Sequence, residues 1–236
     1  MKWQKLVEDE LSEEIYTLCR IIYAVEDVWI ETGSEEIYVS PGEAVVYVPA
    51  SVSSGLLKEL QQKYTDDGIT FIQGTLGARV LHYRDLYGYV KERFLEAFAL
   101  EIKRLIELTE ARQREHAIII PSTRPVRMLL EGEEDKIVLP ELPLCIFLHT
   151  HPGDNCMPSQ KDLESAVSFF SGGGVIEAIA ARRCMFVMWR EWLLSEEDIE
   201  KLIDVKAVLA DRGVRAWNEA LQMLRQTPFR IQLTSI

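Results

Sequence analysis

Residues 144–170, LCIFLHTHPGDNCMPSQKDLESAVSFF, constrain the fold more than any other stretch of the chain. An apolar run ends in two histidines, and Pro152, which cannot donate to a sheet ladder, closes it. Residues 152–158 are polar and turn-forming. Ser159 then offers a helix N-cap, followed by apolar residues at three- and four-residue spacing. A buried strand, a loop and a capped helix in this order predict a layered protein in which helices cover a sheet.

The same spacing carries chemistry. In extended backbone, alternate side chains point the same way, so His149 and His151 can reach one ion from the strand end. Asp162 lies three residues after Ser159, in the first turn of the helix, aimed back at the loop. Two imidazoles and one carboxylate leave a fourth position for water, the arrangement of a catalytic Zn2+ site. Cys156, within the loop, would close that site as a fourth ligand, since thiolate binds zinc well. The plain alternative is a polar loop whose histidines are surface or capping groups. A bare H-x-H favours that alternative, whereas the full pattern at a strand-to-helix turn favours the metal.

The rest of the chain alternates in period. Helical spacing runs over residues 4–24, and EDVWIET reads as a strand. EEIYVS, PGE and AVVYVP read as a hairpin, SVSSGLLKELQQKY as a helix, and ITFIQG and ARVLHYR as β-like runs. These predict a small α+β module over residues 1–85. A long helix over 86–114 connects it to a second domain spanning 86–236 and packs against that domain. There HAIIIP, VRMLLEG, KIVLP, GVIEAIAARR, CMFVMWREW and FRIQLTS are β-like, with helices over residues 195–209 and 214–226. The expected class is α+β or α/β, with a mixed sheet flanked by helices. Ser171–Gly174 reads as a flexible connection, and Trp189 and Trp192 as packing residues.

Composition narrows the function. The 236 residues are 47% hydrophobic, yet no apolar run approaches the ~20 residues that cross a bilayer. The N-terminus lacks a signal-peptide pattern, so the expected place is cytoplasmic. Four widely spaced cysteines without a CxxC pair predict no disulfide framework, with Cys19, Cys145 and Cys184 as small core residues. A net charge of -12 argues against nucleic acid as a partner.

His149-Thr150-His151-Pro152 with Ser159 and Asp162 resembles the signature of the JAMM (MPN+) zinc metalloisopeptidases: H-x-H, seven residues, S, two residues, D. The match is complete over residues 149–162, and the order of elements extends it over roughly residues 86–195. Residues 1–85 have no counterpart, and Thr150 stands where the family usually has serine. The resemblance implies a cytidine-deaminase-like fold, Zn2+ held by His149, His151 and Asp162, and an upstream glutamate as general base. Glu115 fits that place, 34 residues before His149. Glu110, Glu131, Glu133 and Glu134 are the other acids nearby. Glu110 lies far back on the helix, and the last three fall in an acidic turn. Ser159 would donate to the tetrahedral oxyanion, beside its plainer role as helix cap. His116, on the opposite face of its strand from Glu115, is expected to be structural.

The function implied is hydrolysis of the bond joining ubiquitin or a ubiquitin-like modifier to a target, by a homodimer or with another MPN-type chain. Two alternatives stand beside it, a catalytically silent scaffold and a DNA-repair-associated relative. The charge balance counts against the second.

Overall fold

The computed structural model describes residues 3–74, 77, 80–132, 137, 139–212 and 216–236. The chain opens with strand β1 (Trp3–Val7), which pairs antiparallel with the later β7 (Arg127–Glu131). Helix α1 (Glu10–Thr32) follows, so the helix expected over 4–24 and the strand expected over EDVWIET are both corrected. Asp9 decides where the helix starts. Its carboxylate accepts the Ser12 N–H at 3.0 Å, and Arg127 Nη1 donates to both of its oxygens at 2.6 Å. The segment EDVWIET stays helical because Ile21, Ile22, Val25 and Val28 continue one buried stripe facing the sheet.

The hairpin appears as expected: β2 (Tyr38–Ser40), a 3₁₀ turn over Pro41–Glu43, and β3 (Val45–Val48). Helix α2 (Ser54–Lys63), β4 (Thr70–Gln73) and the short β5 (Leu81–His82) complete a four-stranded sheet of order β4-β3-β2-β5. The long helix expected over 86–114 is two helices, α3 (Tyr83–Ala97) and α4 (Ala99–Arg112). Between them Phe98 leaves helical geometry (φ -107°, ψ 13°) while its ring is buried against Phe94, 5.5 Å away.

The second sheet contains β1, β7 and β6 (His116–Pro121), then β8 (Leu144–Thr150), β9 (Ile176–Ala180), β10 (Cys184–Arg190) and β11 (Phe229–Ser235). Its order is β1-β7-β6-β8-β9-β10-β11, and only β8 and β9 run parallel. The parallel pair needs a crossover, which α5 (Gln160–Ser171) supplies. Helices α6 (Glu196–Arg212) and α7 (Trp217–Leu224) follow the expected ranges. Of the run KIVLP, Lys136 and Val138 lie outside the described residues, as do Glu133 and Glu134.

Each face of the large sheet carries its own core. Ile118, Ile120, Leu148 and Ala178 pack with α1, α3 and α4, and this core continues to Val46 and Val48 of the small sheet. Ala117, Ile119, Phe147 and Ile179 pack with α5, α6 and α7. Residues from both sides of the expected division at 85 and 86 contribute to this core: β1 is the edge of the large sheet, and α1 packs against strands of both sheets. A buried ion pair joins the layers. Arg190 of β10 donates to Glu26 of α1, whose Oε1 also accepts the Tyr87 hydroxyl at 2.6 Å. Arg190 further donates to the carbonyls of Gly173, Gly174 and Trp192. Ser171–Gly174 is consequently a packed turn rather than a loose connection. A Cβ at Gly174 would lie 2.4 Å from the Phe169 ring.

The cysteines depart from expectation. Cys19 of α1 is bonded to Cys145 of β8, and Cys156 of the histidine loop to Cys184 of β10. Separations of 126 and 28 residues leave no local motif, which is why spacing did not disclose the pairs. Among the described residues, no helix is long and apolar enough to cross a membrane.

Reduction under native conditions should lower stability by about 2–5 kcal/mol, because it releases the long loop closed by Cys19 and Cys145. Urea unfolding with and without reductant checks this. Equal midpoints would mean the bonds do not form. Asp9 supplies a pH test. Burial raises its acid, but hydrogen bonds from Arg127 and Ser12 outweigh burial and hold it at about 2. A lowered folded-state pKa gives stability that is complete above the unfolded value of about 4 and is lost as pH falls towards 2. Asp9→Asn keeps a helix cap, so the wild-type advantage in urea midpoint should be present near about pH 6 and vanish at acid pH.

Candidate metal centre

The site lies where β8 ends and α5 begins. His149 is the penultimate residue of β8, and His151 follows the strand, its N–H donated to Ala180 O at 2.9 Å. Thr150, between them, faces the other way. Its hydroxyl meets Thr109 of α4 and accepts the His116 N–H at 2.9 Å. His116 Nδ1 lies 2.9 Å from the Thr109 hydroxyl, which sets its side chain on the face of the sheet away from His149 and His151. One strand end is thus clamped from one side and presents imidazoles on the other.

Helix α5 brings the carboxylate. Ser159 is its N-cap: its hydroxyl accepts the Asp162 N–H at 3.2 Å, and Asp162 Oδ2 accepts the Ser159 N–H at 2.6 Å. This reciprocal box fixes the first turn and the direction of the Asp162 side chain. The result is convergence. His149 Nε2 lies 3.2 Å from Asp162 Oδ1, His151 Nε2 lies 3.3 Å from Asp162 Oδ2, and the two Nε2 atoms are 3.1 Å apart.

The donor chemistry fits a cation. Two imidazole lone pairs at 3.1 Å repel unless a proton or a metal lies between them, and the carboxylate adds negative charge to the same point. The three ligating atoms lie within 4.8 Å of one another and could hold a metal ion. Burial alone would raise the Asp162 acid, but hydrogen bonds from His149 and His151 overcome it and hold the carboxyl well below its ordinary range. Burial alone would lower His151, and Asp162 and Glu115 together carry it above its ordinary value instead. The Asp162 shift keeps the negative charge that a cation would meet, and the His151 shift shows the same acids drawing positive charge to this point, which a metal on the neutral ring could supply in place of a proton.

Glu115 immediately precedes β6, and its backbone carbonyl accepts the Gly132 N–H at 2.8 Å. Its Oε1 lies 3.8 Å from His151 Nε2, at the edge of the ligand group. The other described acids are engaged elsewhere. Glu131 binds Arg112 at 2.7 Å, and Glu110 accepts the Gly153 N–H. Glu115 and Ser159 both line a narrow cavity of about 110 Å³, walled by Leu139 and Phe147, and a wider open groove beside Asn155 and Lys161. A cavity of about 760 Å³ by Ser40–Glu43 and Tyr89 lies apart from this chemistry, on the small sheet.

Cys156 is not a ligand while it is bonded to Cys184. The bond instead pins the loop, together with Glu110 on Gly153 and Arg182 on Asp154 at 2.6 Å. Sequence reasoning missed these anchors because each joins segments at least 28 residues apart. Compared with known proteins, the chain matches no family model, no curated protein and no solved structure.

Ser159→Ala removes the oxygen that caps Asp162 N. It should cost about 1 kcal/mol of stability in denaturant unfolding of the metal-free protein. No change would mean that the cap does not form in solution.

Proposed function

We propose that this protein is a zinc-dependent isopeptidase of the JAMM type, cleaving ubiquitin or a ubiquitin-like modifier from its target. One observation carries the proposal: His149, His151 and Asp162 converge on one point with Glu115 at its margin and Ser159 beside it. Zinc is favoured because two imidazoles and one carboxylate with room for water form its usual catalytic donor set. When bound, it would polarise the scissile carbonyl and supply a nucleophile from water at neutral pH.

The protein's own groups perform the proton work. Glu115 accepts the proton of the attacking water and returns it to the leaving amine, as base and then acid. Ser159 is suited to the developing oxyanion. Its bond to Asp162 N uses a hydroxyl lone pair and not the hydroxyl proton, so capping and donation are compatible. Phe147 and Leu139 wall a cavity of about 110 Å³ that also touches Glu115, His149 and Ser159. The extended, glycine-rich tail of a ubiquitin-like modifier, which carries no bulky side chains, suits so small a space.

The test is metal content by plasma mass spectrometry, followed by turnover of ubiquitin-like isopeptide conjugates. Wild type should carry about one zinc per chain and His149→Ala/His151→Ala none. Glu115→Gln should keep the zinc and lose about 10²–10⁴-fold in kcat. Wild type that takes up no zinc would sink the metalloenzyme. Zinc uptake without cleavage of any conjugate would leave a metal-stabilised scaffold.

A further inference from the structure

Strand β9 carries a residue that its surroundings do not explain. Glu177 is 3% exposed, and neither of its carboxylate oxygens has a hydrogen-bond partner. Buried carboxylates are normally paired or neutralised, because taking the charge out of water is costly. Its neighbours on this face, Phe147, Ile179, Phe186 and Met188, are apolar and would accept an aliphatic residue there at lower cost.

A second orphan lies close by. His149 Nδ1 is buried and has no partner, although Nε2 of the same ring is directed at His151 and Asp162. If Nε2 is a ligand, the ring's single proton is on Nδ1 and needs an acceptor. The sheet register brings the two orphans together. In the parallel pairing of β8 and β9, Phe147 stands opposite Glu177 and His149 opposite Ile179. Side chains two apart share a face, so Glu177 and His149 are one diagonal step apart on the face covered by α5. The Phe147 ring, opposite Glu177 in the register, stacks on the His149 ring at 5.0 Å and limits the orientation of the imidazole plane. Asp162 makes itself felt at Glu177 too. Burial first, and the negative charge of Asp162 second, push the Glu177 acid well up.

We propose that Glu177 is a positioning residue of the metal centre, accepting the His149 Nδ1 proton and holding Nε2 towards the ion. The role rests on the metal-binding reading above. Metal-bound histidines commonly donate their second ring N–H to a carboxylate, which fixes the tautomer and strengthens the ligand. A cation at His149, His151 and Asp162 would also offset the cost of burying an unpartnered carboxyl group among apolar neighbours. The carboxylate is thus matched to the loaded state and mismatched to the empty one.

The two states give opposite signs, which a purely structural residue would not. Zinc affinity of the full chain is measured by competition with a chromogenic chelator, beside thermal unfolding of the metal-free protein. Glu177→Met should bind zinc about 10–100-fold more weakly while its metal-free form melts at a higher temperature. Glu177→Gln, whose amide oxygen still accepts the proton, should recover most of the affinity. In zinc-loaded wild type the His149 Nδ1 proton should give a slowly exchanging NMR resonance, which Glu177→Met abolishes. Zinc affinity of both variants within about twofold of wild type, with the resonance unchanged, would overturn the role. Wild type that binds no zinc would overturn the metal centre itself, a separate and recognisable failure.

Discussion

Strand β8 is buried on both faces, and everything about the site depends on which residues its pleat sends to which side. Ile146 and Leu148 belong to the core under α1, while Phe147 belongs to the core under α5. His149 continues the second series past the end of the apolar run. A register slip of one residue would turn the imidazoles towards α4 and bring Leu148 and Thr150 to the ligand position. Such a slip is resisted on three sides: by β6, by the parallel β9, and by the bond from Cys145 to Cys19 of α1. The first helix of the chain therefore helps fix the geometry of residues well over a hundred positions later.

The third ligand depends on different physics. Asp162 is placed by a helix cap, and a cap is only as well placed as the loop before it. That loop is tied at Gly153 by Glu110, at Asp154 by Arg182 and at Cys156 by Cys184. The ties reach α4 on one side and the β9–β10 connection with the first residue of β10 on the other, so the loop cannot move against the sheet without breaking several of them. That rigidity holds Asp162 in place relative to the two imidazoles.

Local period and capping rules made the ligand trio legible, because period two along a strand and a cap at the start of a helix are properties of short segments. The same rules read the hairpin at Pro41–Glu43 and the helices over residues 195–226 with small errors in their ends. They failed where tertiary partners decided. Trp3–Val7 is a strand because it pairs with β7, and EDVWIET is helical because Val28 continues the buried stripe of α1, on which Glu26 also meets Arg190 of β10. Phe98 interrupts the long helix because its ring finds a buried place beside Phe94. The disulfides and Glu177 were illegible for a related reason: nothing local marks a cysteine's partner, and GVIEAIAARR reads as an ordinary apolar strand with one misplaced acid.

That misplaced acid sharpens the electrostatic picture of the centre. Asp162 and Glu115 border the two imidazoles, giving two carboxylates to two rings, while Glu177 lies on the same face of the sheet. Protonating both rings would balance those charges. It would also set two imidazolium groups with Nε2 atoms 3.1 Å apart, which their repulsion opposes. Keeping the rings neutral removes that repulsion and leaves the carboxyl groups uncompensated. A cation at the point of convergence would resolve both conflicts at once, since neutral imidazoles could meet it through Nε2 while the Asp162 carboxylate offset its charge. As side chains alone the three groups stand in conflict; around a cation they would not.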